Sequence, residues 1–208
     1  MHSSAPFEGT PADFIDQARR LFSEMDRDYR QVAAASGFVC TGCEENCCRS
    51  LFYHHTFLEY VLLRAGFETL SRAGQRQILQ RATAYVRSIQ TRGRQAGAEG
   101  LMCPLNEQGR CILYAARPMI CRLHGTPHVF SPPGQRKIEG PGCRAFYRRI
   151  DGRQAQCLDR TPHYIELARL EARFKQHLAL NQKIKLTVAE MLLREPAGTV
   201  AEAISSSR

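Results

Sequence analysis

The sequence contains no tryptophan, no low-complexity tract, no internal repeat and no long hydrophobic run. Its most apolar windows, around Phe57 to Leu63 and Cys111 to Ala116, are far shorter than the ~20 residues that a membrane-spanning helix needs. The first ten residues lack the basic start and apolar stretch of a secretory signal. We therefore expect a cytoplasmic protein that has no membrane partner.

Acidic residues are scarce, since 20 Asp and Glu face 29 Lys and Arg, for a net charge of +9. The basic residues are nearly all arginine, and they concentrate in two stretches, residues 64–94 and 136–153. Such stretches are typical of solvated helix faces and, in some proteins, of surfaces for anionic partners. Aromatic side chains do not interleave with the arginines, so a nucleic-acid partner is not expected.

A chain of 208 residues with 43% hydrophobic residues is long enough to form one domain with its own core. Cap residues, prolines and apolar spacing predict helices over residues 10–35, 56–64, 71–94, 117–123, 161–180 and 187–195. Buried apolar stripes are predicted on the first and third of these helices. Gly66 is the predicted stop after the second helix, Thr161 is the predicted N-cap of the fifth, and Thr187 opens a predicted capping box for the last. Residues 106–110 are predicted to form a turn. The Pro- and Gly-rich residues 125–142 are predicted to be a loop, and the C-terminal tail is predicted to fray. The expected fold is mainly α, a single helical domain over residues 1–208 with two irregular cysteine-bearing loop segments that form a metal site.

Eight of the nine cysteines fall into two sequence clusters. The predicted metal ligands are Cys40, Cys43, Cys47 and Cys48 in the first cluster and Cys103, Cys111, Cys121 and Cys143 in the second. Thiolates suit zinc and iron–sulfur clusters, and closely spaced cysteines in a reducing compartment more often bind metal than form disulfides.

The adjacent pair Cys47-Cys48 cannot easily fill two positions of one tetrahedral centre, so the second cluster is expected to contribute ligands. Eight thiols allow either two four-coordinate sites or one site with thiols left over. The ninth cysteine, Cys157, lies away from both clusters. We predict that it is a small buried apolar side chain.

Several polar residues beside the cysteines are further candidates. Arg49, Arg117 and Arg122 could offset thiolate charge or donate hydrogen bonds to sulfur, and a surface ion pair or helix cap explains them equally well. A second group of side chains has the chemistry of alternative metal ligands, and ordinary loop and helix-entrance roles explain them too: His54, His55, Glu59 and His124.

Five segments of the chain carry a resemblance to a known family. They are Phe38-Val-Cys40-Thr-Gly-Cys43, Cys47-Cys48-Arg49, Cys103-Pro104-Leu105, Gly109-Arg110-Cys111-Ile-Leu-Tyr114 and Arg117-Pro118 to Cys121-Arg122. Together they resemble the YkgJ-type cysteine cluster family, also called CxxCxxCC. The resemblance covers roughly residues 38–143. It implies chelation of zinc or iron, with a [4Fe-4S] cluster among the iron options, and supplies no settled reaction. One departure is the spacer Glu44-Glu45-Asn46, three residues long where the family usually has two.

The sequence therefore predicts a metal-binding protein whose role is structural, redox or metal handling, with another protein as a conceivable second partner. One alternative is an iron–sulfur-dependent protein-modifying enzyme, because flagellin lysine methylases resemble this family. Against it, the Cys-x3-Cys-x2-Cys pattern of radical enzymes fails at Ser50. A second alternative is a basic zinc module that binds nucleic acid. Whether the chain is an enzyme stays open.

Overall fold

The computed structural model describes residues 9–40, 47–92, 101–150 and 154–207; within them, the side chains of Cys47 and Arg92 are not described. The described residues are mainly helical, as predicted. The helices are α1 Pro11–Ala35, α2 Phe57–Glu68, α3 Arg72–Arg92, α4 Met119–Leu123, α5 Arg144–Ile150, α6 Thr161–His177, α7 Val188–Leu193 and α8 Gly198–Ser205. The strands are β1 Asn106–Glu107, β2 Arg110–Cys111, β3 His128–Phe130, β4 Ile138–Gly140 and β5 Leu158–Asp159.

Helix α1 begins where the sequence predicts. Thr10 and Asp13 form a reciprocal capping box, in which the Thr10 backbone N–H donates to Asp13 Oδ2 at 2.7 Å and the Asp13 N–H donates to Thr10 Oγ1 at 3.4 Å. Pro11 fills the first helical position, where a missing N–H costs nothing. The predicted apolar stripe is buried from Phe14 to Met25, and it packs against α6 and α4.

The main core forms where α1, α2, α3, α6, α7 and α8 meet. Helix α2 is buried on nearly all sides and lies between these neighbours. The predicted stripe of α3 is confirmed, since Ile78, Ala82, Tyr85 and Ile89 are buried. A smaller core joins the end of α1 to α5 through Ala33, Phe38, Phe146 and Ile150.

The predicted end of α2 near Gly66 is wrong, because the helix continues to Glu68. A Cβ added at Gly66 would lie 2.9 Å from Ala116 Cβ. The glycine therefore permits close packing of α2 against the 3₁₀ turn Tyr114–Ala116 rather than ending the helix. Arg64 also departs from the prediction of a solvated face, because it is buried and Nη1 donates to the Leu192 carbonyl at 2.7 Å.

Residues 125–142 do not form the continuous loop that their composition predicts, so this prediction is wrong in part. They contain the antiparallel pair β3–β4, in which His128 pairs with Gly140 and Phe130 with Ile138. Strand β5 joins the other edge of β3 in parallel, with His128 opposite Leu158. A three-stranded sheet therefore connects the region after α4 to the start of α6.

Three predictions at the ends of the later helices need correction. Thr161 is the first residue of α6 rather than its N-cap, and its hydroxyl accepts from the Ser131 N–H at 2.9 Å. The predicted capping box of α7 at Thr187 is confirmed, but α7 is not the last helix. Helix α8 follows and packs on α2 through Val200, Ala203 and Ile204, so the tail is ordered as far as this helix reaches.

A search of the described residues finds no helix whose length and apolar content would let it cross a membrane.

Candidate metal centre

The two cysteine clusters meet at Cys48 and Cys103. Cys48 lies in the 3₁₀ turn Cys47–Arg49, and the Cys103 backbone N–H donates to the Cys48 carbonyl at 2.8 Å. The side chains are also joined, because a hydrogen bond between the Cys103 and Cys48 side chains is the largest cause that raises the pKa of Cys103. Two stretches that are distant in sequence thus place their thiols side by side.

A tight hairpin returns Cys111 to the same place. The Asn106 N–H donates to the Cys103 carbonyl at 3.0 Å, and β1 then pairs with β2 so that Asn106 faces Cys111. Gly109, with φ of +84°, provides the left-handed turn between the strands. The predicted turn at Asn106–Arg110 is therefore confirmed, and it sets the position of Cys111 relative to Cys103.

The fourth thiol comes from α4. Pro118 precedes the helix and its carbonyl accepts from the Cys121 N–H at 3.1 Å, which places Cys121 in the first turn. The charge of Cys121 acts on Cys103 and that of Cys111 acts on Cys121, so these thiols are close enough to influence one another. Cys48, Cys103, Cys111 and Cys121 are called the thiol cluster below.

The thiol cluster is an environment that disfavours free thiolates. The side-chain hydrogen bond with Cys48 and burial raise the pKa of Cys103, and burial raises the pKa of Cys111 to about 11. Burial is also the main cause of the raised pKa of Cys121, with the charges of Cys111 and Cys48 next. Without a cation these thiols therefore stay protonated at neutral pH, and a bound cation would have to displace their protons.

Two arginines hold the chain around α4. Arg122 Nε donates to the Arg117 carbonyl at 2.7 Å, Nη1 donates to Asp26 Oδ2 at 2.5 Å, and Nη2 donates to the Ala115 carbonyl. Arg117 Nη2 donates to the other oxygen of Asp26 at 3.3 Å, and its guanidinium lies 3.5 Å from the Tyr114 ring centroid. Asp26, Arg117 and Arg122 are called the Asp26 clamp.

The predicted role of these arginines is partly reassigned. The hydrogen bonds that the structure shows for Arg117 and Arg122 go to Asp26 and to carbonyl groups, and none of those described goes to sulfur. Their charges nonetheless act on the thiol cluster, since both lower the pKa of Cys111 against the larger effect of burial. Arg49 is not part of the clamp, and no hydrogen bond from it to sulfur is described.

Glu59 contacts the start of α4. Its Oε1 accepts from the Met119 N–H at 3.0 Å, and its Oε2 accepts from the Thr56 hydroxyl at 2.7 Å. His54 Nδ1 is 3.8 Å from Glu59 Oε1, an ion-pair distance that is longer than a hydrogen bond. Burial raises the pKa of Glu59, but His54, Thr56 and Met119 together outweigh burial and lower it. His54 and Glu59 therefore meet as a buried pair, whereas His55 is exposed.

Cys143 and Cys40 lie beside the smaller core. Cys143 Sγ accepts from the Phe146 N–H at 3.4 Å at the start of α5, and Cys143 packs against the Phe38–Phe146 core. Cys40 follows Phe38 by two residues and is exposed. Cys103 and Cys111 pack against the main core instead. Cys43 lies outside the described residues, and so does the Cys47 side chain.

In residues 9–40, 47–92, 101–150 and 154–207, no group of three or more His, Cys, Asp and Glu side chains has the spacing that a metal ion requires. The thiol cluster nevertheless has the soft donors that zinc and iron–sulfur centres use. The donor chemistry therefore fits such a centre, while the described side chains do not converge on one point.

The prediction that Cys157 is buried is wrong, because the residue is exposed just before β5. A short edge strand leaves this position facing solvent. Its charge acts on Lys137 rather than on the thiol cluster. Cys157 is therefore a suitable control position for experiments on the other cysteines.

Sequence reasoning missed Asp26 and Arg160. Asp26 lies on α1 far from any cysteine in sequence, and only its place one residue after the buried Met25 could have suggested an inward-facing acid. Arg160 precedes the Thr161-Pro162 signal and reads there as an ordinary helix-entrance residue. His124, one of the predicted alternative metal ligands, is half-buried, and its ring centroid lies 5.3 Å from that of Phe52.

Comparison of the chain with protein-family models, with curated proteins and with solved structures gives no match in any of the three.

Proposed function

We propose that this protein binds a metal, zinc or an iron–sulfur cluster, through the thiol cluster of Cys48, Cys103, Cys111 and Cys121. The observation that carries the proposal is the meeting of Cys48 with Cys103, where the two cysteine-bearing segments join through a backbone hydrogen bond of 2.8 Å. The hairpin after Cys103 and the helix at Cys121 then bring two further thiols from separate elements. Four soft donors from separate elements are a familiar basis for a structural or redox centre.

Burial supports the same proposal. Cys103, Cys111 and Cys121 are half-buried, and Cys103 and Cys111 pack against the main core. A closed centre would bind the irregular segments 101–118 to α4 and the turn at Cys48, where short strands alone provide little stability. The proposed role is therefore structural or redox, with metal handling as the third option that the sequence raised. The resemblance to the YkgJ-type family and a cytoplasmic location are parts of this proposal.

The other predicted ligands are Cys40, Cys43, Cys47 and Cys143. Cys40 and Cys143 lie beside the smaller core, and Cys43 and the Cys47 side chain lie outside the described residues. We propose that the thiol cluster holds the first centre and that any second centre would draw on this set. Metal stoichiometry distinguishes one centre from two.

The first experiment identifies the metal. The protein is purified without oxygen, its visible absorption is recorded, and zinc, iron and acid-labile sulfide are measured per chain. Brown protein with sulfide indicates an iron–sulfur cluster, and colourless protein with stoichiometric zinc indicates a zinc site. Well-folded protein that carries none of them, and that binds neither metal when reconstituted, would contradict the proposal.

The second experiment assigns the ligands. Cys121→Ser and Cys103→Ser should each remove most of the metal, because serine is a poor ligand for these ions. Cys157→Ser is the matched control and should leave metal content unchanged, since Cys157 is exposed and outside the cluster. Cys143→Ser tests the second set. Loss of the metal in Cys157→Ser, or its full retention in Cys121→Ser, would show that the ligand assignment is wrong.

A further inference from the structure

Arg160 is a buried guanidinium without an acidic partner among the described residues. Its side chain is 5% exposed. Nη2 donates to the Leu123 carbonyl at 2.5 Å, while Nε is buried and has no hydrogen-bond partner. No Asp or Glu of the described chain lies within ion-pair distance of it, in contrast to Arg122. A buried charge in this state is costly unless something compensates it.

The groups around Arg160 are donors and neutral rings. The charge of Arg160 lowers the pKa of both His124 and His128, second only to burial in each case. The hydroxyl groups of Tyr164 and Tyr29 are the other groups that act on Arg160. Burial lowers the pKa of Arg160 only to about 10, so it is charged at neutral pH, whereas His124, with a pKa of about 4, is neutral.

Thr126 adds a second unsatisfied donor to this region. It is fully buried, and its hydroxyl oxygen has no hydrogen-bond partner among the described residues. Thr126 lies in the segment that runs alongside Arg160, since Arg160 bonds the Leu123 carbonyl before it and the Val129 carbonyl after it. Native structures leave few such groups unpaired, and the exceptions call for a ligand or a function.

The ring side chains that interact with Arg160 are not fully buried. Tyr29, His124, His128 and Tyr164 are each half-buried, so the rings that border Arg160 reach the solvent. The Tyr29 hydroxyl lies over Gly125, where an added Cβ would be 2.8 Å from it. Because Gly125 has φ of +121° and no side chain, the backbone and the Tyr29 hydroxyl come close together at this point.

We propose that Arg160 and Thr126 form a binding site for an oxyanion, the carboxylate or phosphate group of a small ligand. A guanidinium presents paired N–H donors that match two oxygens of such a group, and a hydroxyl can donate to another oxygen. The compensating negative charge that the fold itself lacks is then supplied by the ligand.

This site borders the thiol cluster. The charges of Cys48 and Arg160 both act on the pKa of His124, and His124 follows Cys121 by three residues. A ligand on Arg160 would therefore lie next to the proposed metal centre. The oxyanion site does not depend on that centre, because every residue that forms it is separate from the four thiols.

The test is anion binding by the purified full-length protein. Inorganic phosphate and acetate are titrated separately at constant ionic strength, and the melting temperature and the heat of binding are measured. Stabilisation that saturates with phosphate alone indicates a phosphate-bearing ligand, and with acetate alone a carboxylate. Stabilisation by both indicates a site that accepts either group. If neither anion binds more tightly than chloride, the proposal is overturned.

Two variants and one control assign the site. Arg160→Gln should weaken anion binding by at least about tenfold, and Thr126→Val, of similar size, by about fivefold. Arg169→Gln is the control, because Arg169 lies on α6, the helix that directly follows Arg160, with its side chain 73% exposed, and the variant should bind anion normally. If Arg169→Gln weakened anion binding as much as Arg160→Gln, the binding would depend on overall charge rather than on this site, and the proposal would be overturned.

A purely structural Arg160 gives a different result. In that case Arg160→Gln would lower the melting temperature by the same amount with and without anion, and Thr126→Val would bind anion normally. The proposed site predicts that the stability difference between wild type and Arg160→Gln widens as anion is added. If Arg160→Gln does not fold, Thr126→Val decides, since it removes an unpaired hydroxyl and keeps the volume.

Discussion

Replacing Asp26 by asparagine should destabilise the protein far more than its partly exposed position suggests. Asp26 accepts from both arginines of the Asp26 clamp, at 2.5 Å from Arg122 and 3.3 Å from Arg117. The Arg122 side chain is 3% exposed and the Asp26 side chain is 22% exposed. Asparagine keeps the shape but removes the charge, so Arg122 is left buried with carbonyl partners only.

The size of the stability loss depends on the partners that Arg122 keeps in the variant. Removing one partner of a fully buried ion pair costs about 3–5 kcal/mol. Here Asp26 is partly solvated, and Arg122 keeps the carbonyls of Arg117 and Ala115 and its place over the Phe22 ring, 4.6 Å from the centroid. We therefore expect Asp26→Asn to lower the free energy of unfolding by about 2–3 kcal/mol.

The matched control is Asp16→Asn on the same helix. Asp16 pairs with Arg19 at 2.9 Å, but both side chains are about half exposed, so the loss should be about 0.5 kcal/mol or less. Urea unfolding of the two variants measures the difference. If Asp26→Asn and Asp16→Asn lose the same stability within error, the clamp does not hold α4 as described.

A double variant tests whether the cost comes from the stranded charge. Arg122→Met removes the guanidinium, so Asp26→Asn should cost less in that background, by about 1–2 kcal/mol. Additive losses would mean that Asp26 acts through something other than Arg122. Because the clamp fixes Cys121 between Arg117 and Arg122, Asp26→Asn should also bind the proposed metal less tightly than Asp16→Asn.

Two further predictions concern packing and pH. Gly66→Ala should lower the free energy of unfolding by about 1–3 kcal/mol, because its Cβ would meet Ala116 Cβ at 2.9 Å. Gly74→Ala, whose nearest contact would be 3.4 Å, should instead stabilise α3 by about 0.5 kcal/mol, and thermal unfolding of both checks the sign. Burial raises the pKa of Glu171 to about 7 from an ordinary 4.5, against the N–H groups of Phe57 and Leu58. The folded state thus holds this proton longer than the unfolded state, so stability from Glu171 is present below about pH 4.5 and is lost, by about 3 kcal/mol, as pH rises through about 7. Glu171→Gln should remove this part of the pH dependence of unfolding, and a curve with unchanged slope would count against the raised pKa.

Local signals predicted the helices that carry their own caps. The capping boxes at Thr10 and Thr187 fix the starts of α1 and α7 through bonds between residues three apart. The buried stripe of α3 is likewise a property of spacing within one segment. Such features need no knowledge of the rest of the chain, which is why sequence alone could place them.

The features that the sequence did not predict depend on distant partners. Helix α8 has no side-chain cap, and it is stabilised because Val200, Ala203 and Ile204 pack against α2. Strands β3 and β4 are three residues long, and β3 gains a second neighbour from β5 only after α5 intervenes. Gly66 predicted a helix end on local grounds, but packing against Ala116 gives the glycine a different purpose.

The thiol cluster combines a feature that local sequence predicts with one that depends on distant partners. Adjacency of Cys47 and Cys48 indicated that the second cysteine segment had to contribute, and the structure places Cys48 beside Cys103. Spacing could not tell which members of that segment would lie there. Cys143 lies directly before α5 and packs against the smaller core, whereas the β1–β2 hairpin brings Cys111 back towards Cys103.

Charge around the thiol cluster bears on what the proposed centre would carry. Arg117 and Arg122 share one carboxylate, Asp26, so this side of the cluster keeps one positive charge in excess. Four thiolates around a divalent zinc carry a net charge of about −2, which this positive charge would partly offset. Metal-free thiols are neutral, and the same arginines then lack that compensation. The arrangement of charges therefore favours the metal-bound form of the cluster.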